Sequence, residues 1–323
     1  MKIHLPNSAF LGNIDPFLSS FDPSNPEFLE ITANDKWISI HPMILSMVAA
    51  LGLTLEPQNI KCAKLTAKSK NYISRMKLFE TLRIPFNGGF IEHESSGRFI
   101  PLRVIQDTEE KTQLIKDIIP LLHLQSEPEQ AKTISYILTE LVDNVLEHAC
   151  TPVGAIICAQ YYQDSNCIRI GIADTGRGIK KAINQSHPAS THIDAIQLAL
   201  WPGITGTTKR EGGTDINAGA GLFFVKSIAN VNRDFFVIYS GSALYKMLKK
   251  TTNPNGILTL NSDPFKDRHS KNNNLPFWKG TVVGIDITLD QTKEFLFLLQ
   301  AIRKTYSKAV KERRKARYKA KFI

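Results

Sequence analysis

Cysteine is scarce: Cys62, Cys150, Cys158 and Cys167 are the only four in 323 residues. No two stand as CxxC, and no Cys/His cluster has zinc spacing. A disulfide-stapled scaffold is thereby excluded, and the thiols read as buried or incidental in a reducing compartment. Long apolar runs are missing too. None reaches the roughly 18 residues that a membrane span needs. The opening MKIHLPNSAFLGNIDPFL has no continuous hydrophobic segment of the signal-peptide kind. A cytoplasmic protein without membrane contact is the expectation. No internal repeat is visible. Hydrophobic residues are 42% and charged residues 22%, as in globular proteins and unlike disordered or collagen-like chains. The length suits about two domains, each with its own core.

Acidic residues are nearly absent from the C-terminal end. From Arg303 to Ile323 there are ten basic residues opposed by Glu312 alone, a net +9. The whole chain carries +10, so residues 1–302 are close to neutral. A protein binding nucleic acid over its whole surface should instead carry charge along the body.

Residues 1–105 read as a small α/β domain. Short strands are expected near Phe28–Thr32 and Ile60–Leu65, and helices over Ile40–Leu53 and Ser69–Leu82. Residues 106–129 read as a helical connector over Glu109–Glu129, broken at Pro120 and Pro128. Residues 130–290 form the second domain. Its strongest element is a helix over Gln130–Cys150, with Ile134, Ile137, Leu138, Leu141, Val142, Val145, Leu146 and Ala149 in one apolar stripe. Strands are expected at Val153–Tyr162, Ile168–Ala173, Phe235–Tyr239 and Val282–Leu289, the first two joined as a hairpin by Gln163–Asn166. Ala218–Asn230 reads as a helix, Thr251–Gly256 as a turn and Asp263–Leu275 as a polar, mobile loop. Residues 291–323 read as a helix over Gln291–Thr305 running into the basic tail.

Three segments carry chemistry. On the long helix, Glu140, Asn144 and His148 recur every four residues beside the apolar stripe. A carboxylate can polarise water, and an amide oxygen can ligand a hard cation such as Mg²⁺. Taken alone, the row also suits a solvated polar face. Next, GIADTGRGI (171–179) ends a strand at Asp174 and turns at Gly176 and Gly178. Such an Asp can accept from an adenine amino group, and glycines let backbone approach a planar base. A plain glycine turn is the simpler alternative. Third, GGTDINAGAGL (212–222) opens directly into a helix, where unpaired backbone N–H groups favour an anion. It lacks the Gly-Lys-Ser/Thr ending of a Walker loop and does not sit in a parallel βαβ unit. A last piece, Lys279-Gly280-Thr281, starts a strand, and its hydroxyl can bond a nucleobase or simply enter the strand.

In this order and spacing the segments resemble the Bergerat-fold ATPases of the gyrase, heat-shock chaperone, histidine kinase and mismatch-repair superfamily. The resemblance covers residues 130–290. It implies an α+β fold, an α/β sandwich whose antiparallel or mixed sheet is covered on one face by helices. It implies ATP and Mg as cofactors. Glu140 would be the general base and Asn144 the Mg ligand. Asp174 would bond adenine, with Gly176, Gly178 and Ile179 shaping the base pocket and Thr281 assisting. Gly219, Gly221 and Leu222 would close the phosphate site. His148 matches a position where anti-sigma-factor kinases often carry His, although a structural role fits as well. Lys209 and Arg210 would lie in a lid over about 180–220 and could reach the γ-phosphate. Glu followed by Asn four residues on resembles gyrase-like and anti-sigma-factor kinase-like members. A true histidine autokinase is disfavoured, because His123 lacks the acidic neighbour of a phosphoacceptor and no dimerisation hairpin precedes the domain.

Residues 28–53 loosely resemble STAS-type domains, the fold of anti-sigma-factor antagonists. The usual phosphoacceptor position falls at His41 instead of Ser, two residues after Ser39. The expected activity is hydrolysis of ATP or transfer of its γ-phosphate to a protein Ser/Thr. A non-catalytic ATP-gated switch and a nucleic-acid-directed ATPase using the tail are the alternatives. The implied partners are ATP, a protein partner or substrate, nucleic acid through the tail 303–321, and a second copy of the chain in a homodimer. The tail reads first as a solvated helical extension, with a nucleic-acid contact and a docking segment for an acidic partner as the other readings, and it lacks the hydrophobic face of a membrane-surface helix.

Overall fold

Alternate residues of one strand belong to two different cores. In Cys167–Ala173, Ile168, Ile170 and Ile172 pack among helices on one side, while Ala173 joins a second core on the other. Ile157 and Ile156, Ile238 and Val237, and Ile285 and Val282 divide the same way. A sheet buried on both faces explains why these strands read as near-continuous apolar runs.

The structure is a computed structural model. It describes residues 1–66, 70–85, 99–121, 124, 128–210, 212, 219–249, 260–289 and 295–317. It is mixed α+β. Strands β1 (Lys2–Leu5), β2 (Leu29–Ala33) and β3 (Ile60–Cys62) form a small parallel sheet in that order. Around them run α1 (Asp15–Ser20), α2 (Pro42–Gly52), α3 (Lys70–Arg75) and α4 (Leu78–Leu82). The next elements are β4 (Phe99–Ile105), α5 (Thr108–Leu121), α6 (Pro128–His148), β5 (Ala155–Tyr162) and β6 (Cys167–Ala173). Then come α7 (Gly178–Ile183), α8 (His192–Ala199), α9 (Gly221–Val231), β7 (Phe236–Gly241) and β8 (Ala243–Met247). The chain ends with β9 (His269–Asn272), β10 (Trp278–Thr288) and α10 (Phe295–Arg317). Strands β4 to β10 build a seven-stranded sheet in the order β4-β5-β6-β10-β7-β8-β9, antiparallel throughout.

Helices α6 and α9 lie on the face that carries Ile170 and Ile285. The opposite face is not open, contrary to the one-face expectation. It is covered by α2, every residue of which is buried. A helix apolar all round must be enclosed. Its N-terminus rests on a glycine window: Gly171 of β6 pairs with Gly284 of β10. A Cβ on Gly171 would lie 2.1 Å from the Met43 nitrogen. His41 caps α2, its Nδ1 accepting from the Met43 N–H, while Nε2 donates to Asp286 Oδ1 at 3.1 Å. The ring is fully buried with both nitrogens engaged, so the position aligned with a phosphoacceptor is a structural latch. Asp286 also faces Arg169, whose guanidinium lies over the Phe10 and Tyr162 rings at 4.3 and 4.0 Å.

Several boundaries move. The division at residue 105 cuts through the large sheet, because β4 pairs with β5. Leu29–Ala33, Pro42–Gly52 and Ile60–Cys62 stand near their expected places. The helix expected over Ser69–Leu82 breaks at Lys77, which adopts φ 61°. Pro120 lies inside α5, one residue before its end, and Pro128 opens α6. The loop expected at Asp263–Leu275 contains β9, which pairs with the unexpected β8. Both escape a pattern search for the same reason. Lys246 in β8 is buried against Asp15, and HSKN in β9 is a polar edge held by backbone pairing. Helix α10 runs on to Arg317, well past Thr305. The turn Thr251–Gly256 and His123 lie outside the described residues. Among those described, no helix is long and apolar enough to cross a membrane.

Candidate functional site

The apolar stripe of α6 is buried at Ile134, Ile137, Leu138, Leu141 and Val142, which fixes the helix's rotation. Glu140, Asn144 and His148 then line a cavity of about 390 Å³. The Asn144 Nδ2 donates to the Glu140 carbonyl at 2.5 Å, leaving Oδ1 as its atom for a cation. Helix α9 starts against the same pair. A Cβ on Gly221 would sit 2.3 Å from Glu140 Oε2 and 3.4 Å from Asn144 Nδ2. Only glycine lets the first turn of α9 come so near. That turn has no side-chain cap, and Gly221 and Leu222 bring it onto the cavity wall. Its backbone N–H groups make a positive end beside the carboxylate. Gly219, at φ 64°, also lines the cavity; a Cβ there would lie 2.5 Å from the Ile204 oxygen. Residues 213–218 of the Gly-rich loop are outside the described residues.

Asp174 follows β6 on the helix-side face shared with Ile172, and both line the cavity with Thr281 and Val283 of β10. It is 1% exposed. Its Oδ1 accepts from the Gly176 N–H at 2.7 Å, and its own N–H donates to the Thr281 carbonyl at 2.9 Å. Burial pushes the carboxyl up to about 6. Gly280, at φ 115°, makes the approach of β10 feasible: a Cβ would lie 2.1 Å from the Asp174 oxygen. Ser240 of β7 ties the turn together, accepting from the Ile179 N–H at 3.0 Å and donating to the Gly280 carbonyl at 2.6 Å. Gly178 and Ile179 line the cavity. Gly176 does not; a Cβ there would meet the Ala149 oxygen at 2.1 Å. It is a packing glycine against the end of α6, where Arg177 donates to the Ala149 and His148 carbonyls at 2.8 and 2.6 Å.

Burial raises the Glu140 pKa, opposed by a hydrogen bond from Tyr136, and burial lowers that of His148. Asp143, one turn away, is paired with Lys111 at 2.6 Å. The segment expected to form a lid departs from its expected placement. Lys209 and Arg210 are exposed and lie off the cavity wall, which is lined instead by Thr205, Gly206 and Thr207. This segment is tied down: the Ser186 hydroxyl donates to the Gly206 carbonyl at 2.8 Å, and His187 Nε2 bonds the Thr208 carbonyl at 3.0 Å. The run ITGTT advertised hydroxyls beside a glycine. Ser240 and Arg177 had no signal, because their role depends on strands that meet only in the fold.

Among the described residues no three His, Cys, Asp or Glu side chains converge on a metal. A Mg²⁺ that keeps waters and phosphate oxygens needs only one or two protein ligands, which the Asn144 oxygen beside Glu140 suits. No protein-family model matches the sequence, and no curated protein matches it significantly.

Proposed function

We propose that this cavity binds Mg-ATP in the manner of the Bergerat-fold ATPases and that the protein hydrolyses ATP or passes its γ-phosphate to a protein hydroxyl. One observation carries the reading: Asp174, the first turn of α9 and the Glu140/Asn144 pair line a single cavity. The antiparallel sheet with α6 and α9 on the cavity side supports the same fold. The volume lies within the range of small-molecule sites.

In this reading Asp174 accepts a hydrogen bond from the adenine amino group, while Gly178, Ile179 and Thr281 shape the base pocket. Asn144 holds Mg²⁺, which when bound supplies neutralising charge to the phosphate oxygens. Gly219, Gly221 and Leu222 offer backbone N–H groups to those oxygens. Glu140 takes the proton of the attacking water or hydroxyl, and its raised proton affinity suits that task. Thr205 and Thr207 close the lid side. The parallel strands β1 to β3 with α2 support a STAS-like reading of the N-terminal unit as a small α/β module, without His41 as its acceptor.

Calorimetry with Mg-ATP tests the site. Asp174→Asn and Asn144→Ala should each weaken binding by about 10- to 150-fold, the worth of a hydrogen bond to a charged group. Unchanged affinity in both refutes the site. Released ADP or labelled protein, lost in Glu140→Ala, separates turnover from an ATP-gated switch.

A further inference from the structure

Helix α10 has two faces. Its inner face carries Ile302, Tyr306, Ala309, Val310 and Arg313. The Tyr306 ring lies 6.5 and 6.2 Å from Phe223 and Phe224, in the first turn of α9. Val310 occupies the space a Cβ on Gly203 or Gly212 would need, at 2.7 and 3.1 Å. Arg313 lies over Trp201 at 5.4 Å and donates to the Pro202 carbonyl. Gly203 in turn donates to the Gly219 carbonyl at 2.8 Å, and Gly212 to Gly203 at 3.0 Å. The inner face therefore braces both the lid backbone and the helix that starts at Gly221.

The outer face is a row of cations. Lys304, Lys308, Lys311 and Lys315 follow at steps of four, three and four, all exposed. At 100° per residue they lie half a turn from Ile302, Tyr306, Ala309 and Arg313, and they span about 16 Å of helix. Glu312 is the one acid in this segment, 4.0 Å from Lys308. The row includes no apolar or aromatic side chain. A protein interface buries an aromatic or aliphatic centre and is depleted in lysine. A phosphate backbone needs only cations.

We propose that α10 binds the phosphate backbone of nucleic acid along its outer row, without base readout, and that its inner face couples this binding to the lid. The coupling to nucleotide rests on the ATP reading above; the surface does not. The surface is tested without nucleotide, by fluorescence anisotropy of a short labelled DNA duplex with the full chain. About four phosphate contacts predict that log K falls with log salt at a slope of about −3.6. Lys304→Glu/Lys308→Glu/Lys311→Glu should lose at least about tenfold in affinity at low salt. The matching triple Lys→Arg variant should keep it. Equal binding by the Glu variant, a flat salt response, or polyglutamate competing as well as duplex at equal charge overturns the proposal; the last assigns the row to an acidic protein.

Tryptic cutting at Lys209 and Arg210, mapped by mass, tests the coupling. If duplex binds α10 only in its docked position and the lid opens only when α10 lifts, duplex at ten times Kd should slow these cuts about tenfold. It should leave them unchanged in the triple Glu variant. An unchanged rate in wild type overturns the coupling. If calorimetry finds no ATP binding while duplex binding stays intact, the site reading alone fails.

Discussion

Asp174 sits where a carboxylate is costly. Burial raises its pKa from 3.8 to about 6, so the folded chain holds the proton more tightly than the unfolded one. Above about pH 6 both states are ionised and the buried charge opposes folding, by roughly 3 kcal/mol at 1.36 per pKa unit. As pH falls from about 6 to about 4 the folded state takes up the proton first, and the cost is relieved. Asp174→Asn should therefore melt above wild type at neutral pH, with the gap closing by about pH 4. Equal melting points at neutral pH would show that the carboxyl is not strained by burial. The same change should cost nucleotide affinity, the usual opposition of stability and function at a binding residue. Gly280 is the second sensitive position. Its φ of 115° disfavours a side chain, and a methyl group there would lie 2.1 Å from the Asp174 carbonyl oxygen. Gly280→Ala should destabilise by more than about 1 kcal/mol. It should also displace Asp174, so melting and calorimetry should both register it; normal ATP affinity in a destabilised variant would separate Gly280 from the site.

At the scale of elements, α2 and the sheet meet through backbone. Gly171→Ala would push the start of α2 away from β6 by placing a methyl 2.1 Å from the Met43 nitrogen. Overpacking of this kind costs about 1–3 kcal/mol, readable as a lower denaturant midpoint. An unchanged midpoint would mean that α2 is loosely seated. The meeting of α9 with α6 is of the same type, with Gly221 taking the place of a side chain beside Glu140. Glycine thus appears at both contacts for close approach, although Gly171 and Gly221 look alike in the sequence.

For the whole molecule, the second core decides what can fold. It draws Ile156, Cys158, Val237, Tyr239 and Val282 from the large sheet and Ile44, Met47 and Val48 from α2. A fragment of residues 130–290 would lose α2 and the edge strand β4 while keeping every proposed ATP contact. It should lack a cooperative melt and bind a hydrophobic dye, whereas the full chain melts sharply. A fragment that melts cooperatively and binds ATP would restore the boundary expected from the sequence.

The local features were legible because their causes are local. A 3.6-residue repeat of apolar side chains marks α6 to within two residues at each end, and its polar face follows from the same repeat. Short apolar runs joined by a polar turn mark β5 and β6. Asp174 and the glycines around it announce a turn whichever partners they meet. Strands β4, β8 and β9 carry weaker patterns, since Pro101 and Arg103 interrupt β4, a buried Lys246 interrupts β8, and β9 is a polar edge held by backbone pairing. The covered second face was hidden for another reason. The contact of His41 with Asp286 joins residues 245 apart, and nothing in either segment names the other. The chain's own chemistry thus determined the candidate residues and the separation of a basic helix from a near-neutral body. Only tertiary structure decided that Gly221 meets Glu140, that Gly176 lies off the cavity, and that the basic helix packs on Trp201, Pro202 and Gly203. Those facts depend on which surfaces bury each other, and burial is settled by the chain as a whole.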